Sequence, residues 1–460
     1  MTAQPAAGPA APPAAPPAAP PAAPPAARRV AVVCDYALDY LGGAQTALVE
    51  QVAALTDAGA DVVMVAPSSA AAAARAGLGE GVTYAQVPAR WVLPGLELPV
   101  VMNSARVRRV LAAVFAEHRT EVVQLHSEFG VAAGAIAVAG EMGLPVVHTV
   151  HTFFWQTSLR PQRLVAALVR AFHRAITGWR PTRADLADRA ADSALRNMTL
   201  GVARRADQVV SPSAHQAERL RAAGLDRVAV VPNTVRAPGT ALGTAPGAAS
   251  ERAARVLDRV EGPLRIIWIG RCEPEKRILP FVRALVAAQR TLGPGRLHGV
   301  VVGDGSQLAE ARQIAADAEI DLLGRQDHDR IPELLAQAHL VALTSYGFDN
   351  QPMTIVEAVA AGRGVVYCDP ALSEGLSGPG IQVPAAEAEI TAALVDLVEH
   401  PDRVVAASRA TEQARAEFAP QTHARRMLDL YDDAVDRARS AGALRTVGAA
   451  RTAEPEALPR

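Results

Sequence analysis

The chain has 460 residues, half of them apolar, a formal net charge of −1 and three cysteines. That length asks for two domains, with apolar side chains enough for two cores. Near-neutrality argues against a global attraction to nucleic acid, and the scattered Cys34, Cys272 and Cys368 argue against a disulfide framework or a zinc site. A reducing, cytoplasmic setting fits.

Residues 1–27 are almost wholly Ala, Pro and Gly. With no basic start and no unbroken apolar run they do not read as a signal peptide, but as a disordered, polyproline-like tail. No window offers about 18 unbroken apolar residues, so no membrane-spanning helix is expected.

From Arg29 onward, short β-branched runs alternate with helical patterns. Strands are expected at 30–34, 61–65, 122–125, 146–150, 208–211 and 228–231, with a first helix over 44–58. Such alternation implies parallel sheets covered on both faces. A Pro/Gly/Thr-rich connection follows, and a second series of strands is expected at 264–269, 299–302, 321–323, 340–344 and 364–367. The fold class is therefore α/β: two doubly wound, Rossmann-like domains facing a cleft, with ligands beyond the strand carboxyl ends. The boundaries are 28–236 for the first domain, 237–262 for the linker and 263–418 for the second. A last amphipathic helix is expected within 419–445 (periodic over 421–438), then a disordered tail at 446–460.

Of 46 basic side chains, one alone is lysine, Lys276. It lies five residues after Arg271, just past a strand ending in Gly270. A compact ammonium suits a phosphate oxygen met as a point charge. Gly303-Asp304-Gly305 opens a second strand end, and Leu323-Gly324-Arg325 a third, whose backbone could face a flat base. The fourth loop is the most specific. It runs Ser345-Tyr-Gly-Phe-Asp349-Asn350-Gln351-Pro352-Met353-Thr354-Ile-Val-Glu357 and closes on Ala-Val-Ala-Ala-Gly362. Pro352 suits a first helical turn, which would aim the Met353 and Thr354 amides at an anion. Glu357, one turn further in and flanked by aliphatics, needs a donor, and ribose hydroxyls would serve. In the first half, Gly42-Gly43 stands between strand and helix where a substrate could approach the backbone. The third glycine of a G-x-G-x-x-G run is missing, which argues against a dinucleotide.

Together, Arg271 with Lys276, Gly303-Asp304-Gly305, and Asp349 eight residues before Glu357-Ala-Val-Ala-Ala-Gly resemble the retaining, nucleotide-sugar-dependent glycosyltransferases of GT-B architecture, family 4, over residues 29–435. The resemblance implies an N-terminal domain for the acceptor and a C-terminal domain for a UDP- or GDP-sugar. It implies Arg271 and Lys276 on the diphosphate and Glu357 on the ribose. Gly42, Gly43, Gly270, Gly303, Asp304, Arg325, Asn350, Gln351, Met353 and Thr354 would complete the donor site. The family usually has glutamate where this chain has Asp349, so that side chain either touches the hexose or is structural. His126 and His151 follow strand ends and match family positions, which places them in the active site; His148 is left to the core. An epimerase or phosphorylase of the same fold, and a binding protein with degenerate catalysis, are the alternatives.

No metal or other cofactor is expected. Asp327-His328-Asp329 imitates a metal-binding D-x-D, but Asp329 reads better as the N-cap of a helix beginning near Ile331-Pro332. Residues 153–205 hold ten arginines against three aspartates, an excess of seven positive charges. Leu164, Leu168, Phe172, Ile176 and Trp179 recur there at helical spacing. Such a segment either packs on its own domain or lies on an anionic membrane surface, where the acceptor could be a sugar or a lipid-linked glycan.

Overall fold

Short Val/Ile/Leu runs buried on both faces can hydrogen-bond only to like strands, and here they do so in two parallel sheets. A computed structural model of the chain describes residues 27–38, 42–79, 81–89, 91–93, 98–236 and 255–452. The tail at 1–26, most of the linker (237–254) and residues 453–460 lie outside the described residues, as do 39–41. Of the side chains at 93, 98, 329 and 441–452 nothing is said.

The N-terminal sheet has seven strands. β1 (Arg29–Val33) is central, flanked on one side by β2 (Asp61–Ala66) and then β3 (Thr83–Gln86). On the other side lie β6 (Val122–Leu125), β7 (Val146–Thr149), β8 (Gln208–Ser211) and β9 (Val228–Val230), in that order. A separate antiparallel hairpin joins β4 (Trp91–Leu93) to β5 (Leu98–Val100). The C-terminal sheet runs β12 (Ile320–Gly324), β11 (Leu297–Val302), β10 (Leu264–Ile269), β13 (Leu340–Leu343), β14 (Gly364–Tyr367), β15 (Gly380–Gln382). Six N-terminal and five C-terminal strands fall within about two residues of the sequence expectation. β3, the hairpin and β15 are additions; all are short and carry weak apolar signals.

In each sheet chain order reverses beside the first strand, at β1/β6 and at β10/β13. The crevices that open there are where doubly wound folds hold ligands. The loops leaving β7, β8 and β9 meet the loop leaving β13 directly. Ser213 Oγ donates to Asn350 Oδ1, the Asn233 amide donates to Gln351 Oε1 at 2.6 Å, and Gln156 Nε2 donates to the Gly347 carbonyl at 3.1 Å. The two carboxyl edges therefore face one another.

Seven helices matter below: α1 (Gly43–Asp57), α4 (Gly130–Met142), α5 (Gln162–Thr177), α6 (Ala190–Ala203), α10 (Ile331–Gln337), α11 (Met353–Ala360) and α14 (Pro420–Thr452). The last corrects the sequence reading: it is longer than expected and includes residues 446–452, assigned above to a disordered tail. It also belongs to the wrong half. Met427, Tyr431, Ala434 and Val435 are buried in the core built by β1, β2 and α1. Burying a side chain the size of Met or Val is worth about 1.5–3 kcal/mol. The Tyr431 hydroxyl donates to Gln124 Oε1 at 3.0 Å and accepts from Gln51 Nε2 at 3.3 Å, so the returning helix also satisfies buried polar groups.

Candidate functional site

The first strand of the C-terminal sheet ends against the second without room for side chains. Gly303 has φ +140°, and a Cβ there would lie 1.8 Å from the Gly270 carbonyl oxygen. The Cys272 amide donates to the Asp304 carbonyl at 2.8 Å, which clasps the loops after β10 and β11 edge to edge. From this clasp a 3-10 turn, Pro274–Lys276, brings Lys276 back over the crevice. Its Nζ lies 2.5 Å from Asp349 Oδ1 and 5.5 Å from the centre of the Phe348 ring. Asp349 is buried, and its other oxygen accepts from Ser345 Oγ. Both carboxylate oxygens are thus committed. Arg271 takes a different course: its half-exposed guanidinium donates to Glu275 at 2.8 Å, and among the described residues it makes no hydrogen bond or ion pair with Lys276 or Asp349. Asp304 is exposed and accepts from the Gly305 amide, and Arg325 is exposed past the end of β12.

Four residues beyond Asp349, α11 begins. Pro352 is its N-cap (φ −63°, ψ 129°), one position ahead of the first-turn placement read from sequence. Met353 and Thr354 supply first-turn amides that no helical carbonyl can reach. Across the cleft, Gly42 caps α1, and a Cβ on Gly43 would be 4.0 Å from Met353 Cγ. Two helix N-termini, one from each domain, therefore converge, that of α11 four residues past the lysine's partner Asp349, each carrying a partial positive charge. Glu357, one turn into α11, has no hydrogen-bond or ion-pair partner among the described residues. Burial pushes its carboxyl above the usual range; His328 pulls it down and Glu50 pushes it up to smaller extents.

The histidines stand on the facing edge. His126 Nδ1 is 2.7 Å from His151 Nε2, with the rings stacked at 5.0 Å and 20°. One nitrogen of that contact must donate and the other accept. Burial depresses both, with His423 a lesser cause for His151, which falls to about 4. The pair is therefore neutral near pH 7. Behind it, His148 is fully buried as expected, and burial takes it to about 3. Its Nε2 is 4.0 Å from Glu128 Oε1, and burial lifts Glu128 to about 8 while Tyr36 Oη donates to its other oxygen at 3.0 Å.

Asn350, assigned to the donor by resemblance, is spent on the domain interface; Gln351 gives that interface its side-chain oxygen, while its Nε2 has no partner among the described residues. Asn350 Nδ2 donates to the carbonyls of Val150 at 3.2 Å and His151 at 3.3 Å, while its oxygen accepts from Ser213. Three further residues were not singled out in the sequence. Asp35 takes the amides of Phe129, Val131 and Ala132 and the Ser127 hydroxyl, anchoring the start of α4. A lone acid directly after a wholly apolar strand was its signal. His215 stacks on Phe154 at 5.3 Å and contacts the Asp349 carbonyl at 3.3 Å. His423, from α14, binds the Pro232 carbonyl at 2.7 Å; nothing local could have placed it here.

Asp329 is not a helix cap. A 3-10 turn, His328–Arg330, precedes α10, and Arg330 occupies the cap position. Among the described residues no group of three or more His, Cys, Asp or Glu could hold a metal ion.

Two family models match the chain: Glycosyltransferase Family 4 over residues 41–237 and Glycosyl transferases group 1 over residues 263–400. A phosphatidyl-myo-inositol mannosyltransferase of Mycolicibacterium smegmatis is 25% identical over 388 residues, 81% of this chain and 85% of that protein. Among solved structures, Anabaena HepE in complex with UDP-glucose has a TM-score of 0.59 at 18% identity, covering 88% of this chain and 99% of that one. The pneumococcal O-GlcNAc transferase GtfA, in complex with UDP and GlcNAc, has a TM-score of 0.59 at 11% identity, covering 89% and 99%. At these identities the structures share the architecture.

Proposed function

The chain belongs to the family 4-like glycosyltransferases of GT-B architecture, and from that premise we propose that it moves a hexose from a UDP- or GDP-linked donor to an acceptor hydroxyl, with retention at the anomeric carbon and without a metal ion. One observation carries the reading: Lys276 is held on Asp349, four residues before the N-terminus of α11, which itself meets the N-terminus of α1. As the bond from C1 to the diphosphate breaks, negative charge grows on the departing oxygen. Lys276 and the amides of Met353 and Thr354 are the groups to receive it, and preorganised donors in a dry site are worth most at that moment. Glu357, lacking a partner of its own, accepts from the ribose. His151, partly exposed at its strand end, would hold a hexose or acceptor hydroxyl, backed by its contact with the fully buried His126.

For the retention proposed here, the state of Asp349 supports a route without a covalent intermediate. A nucleophilic carboxylate needs a free oxygen, and both of its oxygens are bound. The acceptor oxygen then bonds to C1 on the face the phosphate leaves, and its proton passes to the departing phosphate oxygen, which balances the step. The name of the mycobacterial relative joins mannosyl transfer to a phosphatidyl-inositol acceptor, and HepE was solved with UDP-glucose. They support a nucleotide-sugar donor and a lipid-linked acceptor.

Replacing Lys276 with Ala and measuring kcat/KM for the donor tests the reading. A loss of roughly 10²-fold or more is expected. A change below about threefold would remove the lysine from the mechanism, and an inverted anomer in the product's NMR spectrum would overturn retention.

A further inference from the structure

The outward face of α5 is neither a core nor an ordinary solvated surface. Its inward side is buried on α6 and the domain through Ala166, His173 and Ile176. The opposite side exposes Leu164 (54%) and Leu168 (60%), one turn apart, and Leu159 just ahead of the helix is also exposed. Ala167, Ala171 and Ala175 fill the space between and are exposed too. Arg163, Arg170 and Arg174 border this face, and none has a hydrogen-bond or ion-pair partner among the described residues. No acidic residue occurs between Glu141 and Asp185.

The β4–β5 hairpin stands beside the carboxyl end of α5. Val100 packs on the small core of Phe129, Ile176 and Met198, on which Val169 and Phe172 of α5 also pack. Trp91 pairs with Val100 across the hairpin, so the two side chains share one face of the ribbon. Its side chain is 76% exposed, and Val92 beside it is exposed as well. The chain leaving β5 is pinned to the end of α5, the Asn103 amide donating to the Ile176 carbonyl at 2.8 Å and its side chain to Thr177 at 3.0 Å. Met102, between the hairpin and that anchor, is exposed. No helix among the described residues is long and apolar enough to cross a membrane.

We infer that α5 and the β4–β5 hairpin form one platform that lies on an anionic phospholipid bilayer, Trp91, Leu164 and Leu168 entering the headgroup boundary and the arginines meeting lipid phosphates. Unpaired cations around exposed leucines and a tryptophan complement such a surface. A protein partner would have to offer acidic groups around a matching apolar groove, whereas a bilayer supplies both everywhere. The inference deepens the proposed function by setting where the acceptor waits: the chain between His151 and Gln162 joins the histidine edge of the cleft to this platform.

Flotation of the full chain with vesicles of phosphatidylcholine, alone or mixed with phosphatidylglycerol, tests it. Binding is expected only to the mixed vesicles, weakening as salt rises. Removing three arginines together (Arg163→Gln, Arg170→Gln, Arg174→Gln) should weaken it on the order of 100-fold, since each cation near the surface contributes about fivefold. Leu164→Glu with Leu168→Glu, and separately Trp91→Ala, should weaken binding; all three sites are exposed, and unchanged melting curves would show intact folds. Calorimetric titration of UDP should be the same for every variant, so a platform failure and a donor-site failure read out separately. Absence of binding to mixed vesicles, equal binding by the variants, or a dimer that the Leu→Glu pair dissolves would each overturn the inference.

Discussion

Asn350, from the C-terminal domain, donates its side-chain amide to the backbone carbonyl of His151 in the N-terminal domain, 3.3 Å away. The residue that fastens the two halves together thus grips the strand end that carries a candidate catalytic histidine. Closure of the cleft and placement of that imidazole are therefore one event. Replacing Asn350 with Ala removes this bond and those to Val150 and Ser213, each worth about 1 kcal/mol. A lower population of the closed form should raise KM for the donor several-fold, and solution scattering should show a larger radius of gyration.

Lys276 and Asp349 form a mostly buried pair, and breaking one from the side of Asp349 leaves the lysine uncompensated. Asp349→Ala should cost about 3 kcal/mol of stability, read as a lower denaturant midpoint. Asp349→Glu should keep the ion pair and a kcat/KM within about threefold of the parent. A large gain in rate for the glutamate variant would mean that the side chain touches sugar rather than bracing the lysine.

Glu357→Gln separates fold from function. Desolvation lifts the Glu357 carboxyl with no donor to offset it, so the neutral isostere should raise the melting temperature in the absence of ligand. The same change should weaken UDP binding by roughly tenfold, the loss of one charge-assisted hydrogen bond, measured by calorimetry.

Stability should peak near pH 6.5. His151, His148 and His423 titrate at about 4, 3 and 4 when folded against 6.5 as ordinary histidines, and His126 is lowered too. The unfolded chain therefore binds more protons below 6.5, and stability falls with pH there; His151 alone is worth about 3 kcal/mol across that window. Glu128, raised from 4.5 to about 8, works in the opposite sense and makes stability fall as pH climbs toward 8. Asp35 and Glu357, also raised by burial, add to the second effect. Urea midpoints across this range should trace a maximum, and Glu128→Gln should flatten its alkaline side.

The parallel sheets were legible because their strands are short, β-branched and bounded by glycine or helix starts. Lys276, Glu357, Gly303 and the two histidines were legible because each breaks the chemistry of its surroundings just after a strand. What could not be read was where side chains spend their hydrogen bonds. Arg271 turns to Glu275 and Asn350 to the other domain, choices set by partners distant in sequence. β3 and the hairpin carry too few apolar residues to show a period, and the exposure of Leu164 and Leu168 reverses the ordinary meaning of a helical stripe. His423 enters the site from a helix nearly three hundred residues beyond His126, a distance no local pattern bridges.

α14 bears on the order in which the molecule takes shape. Met427 and Tyr431 complete a core whose other walls are β1, β2 and α1, so the half that leaves the ribosome first stays unfinished until nearly the last segment has been made. Nascent chains halted before residue 420 should expose that apolar seam to chaperones, and a deletion from the carboxyl end should harm the opposite half of the molecule.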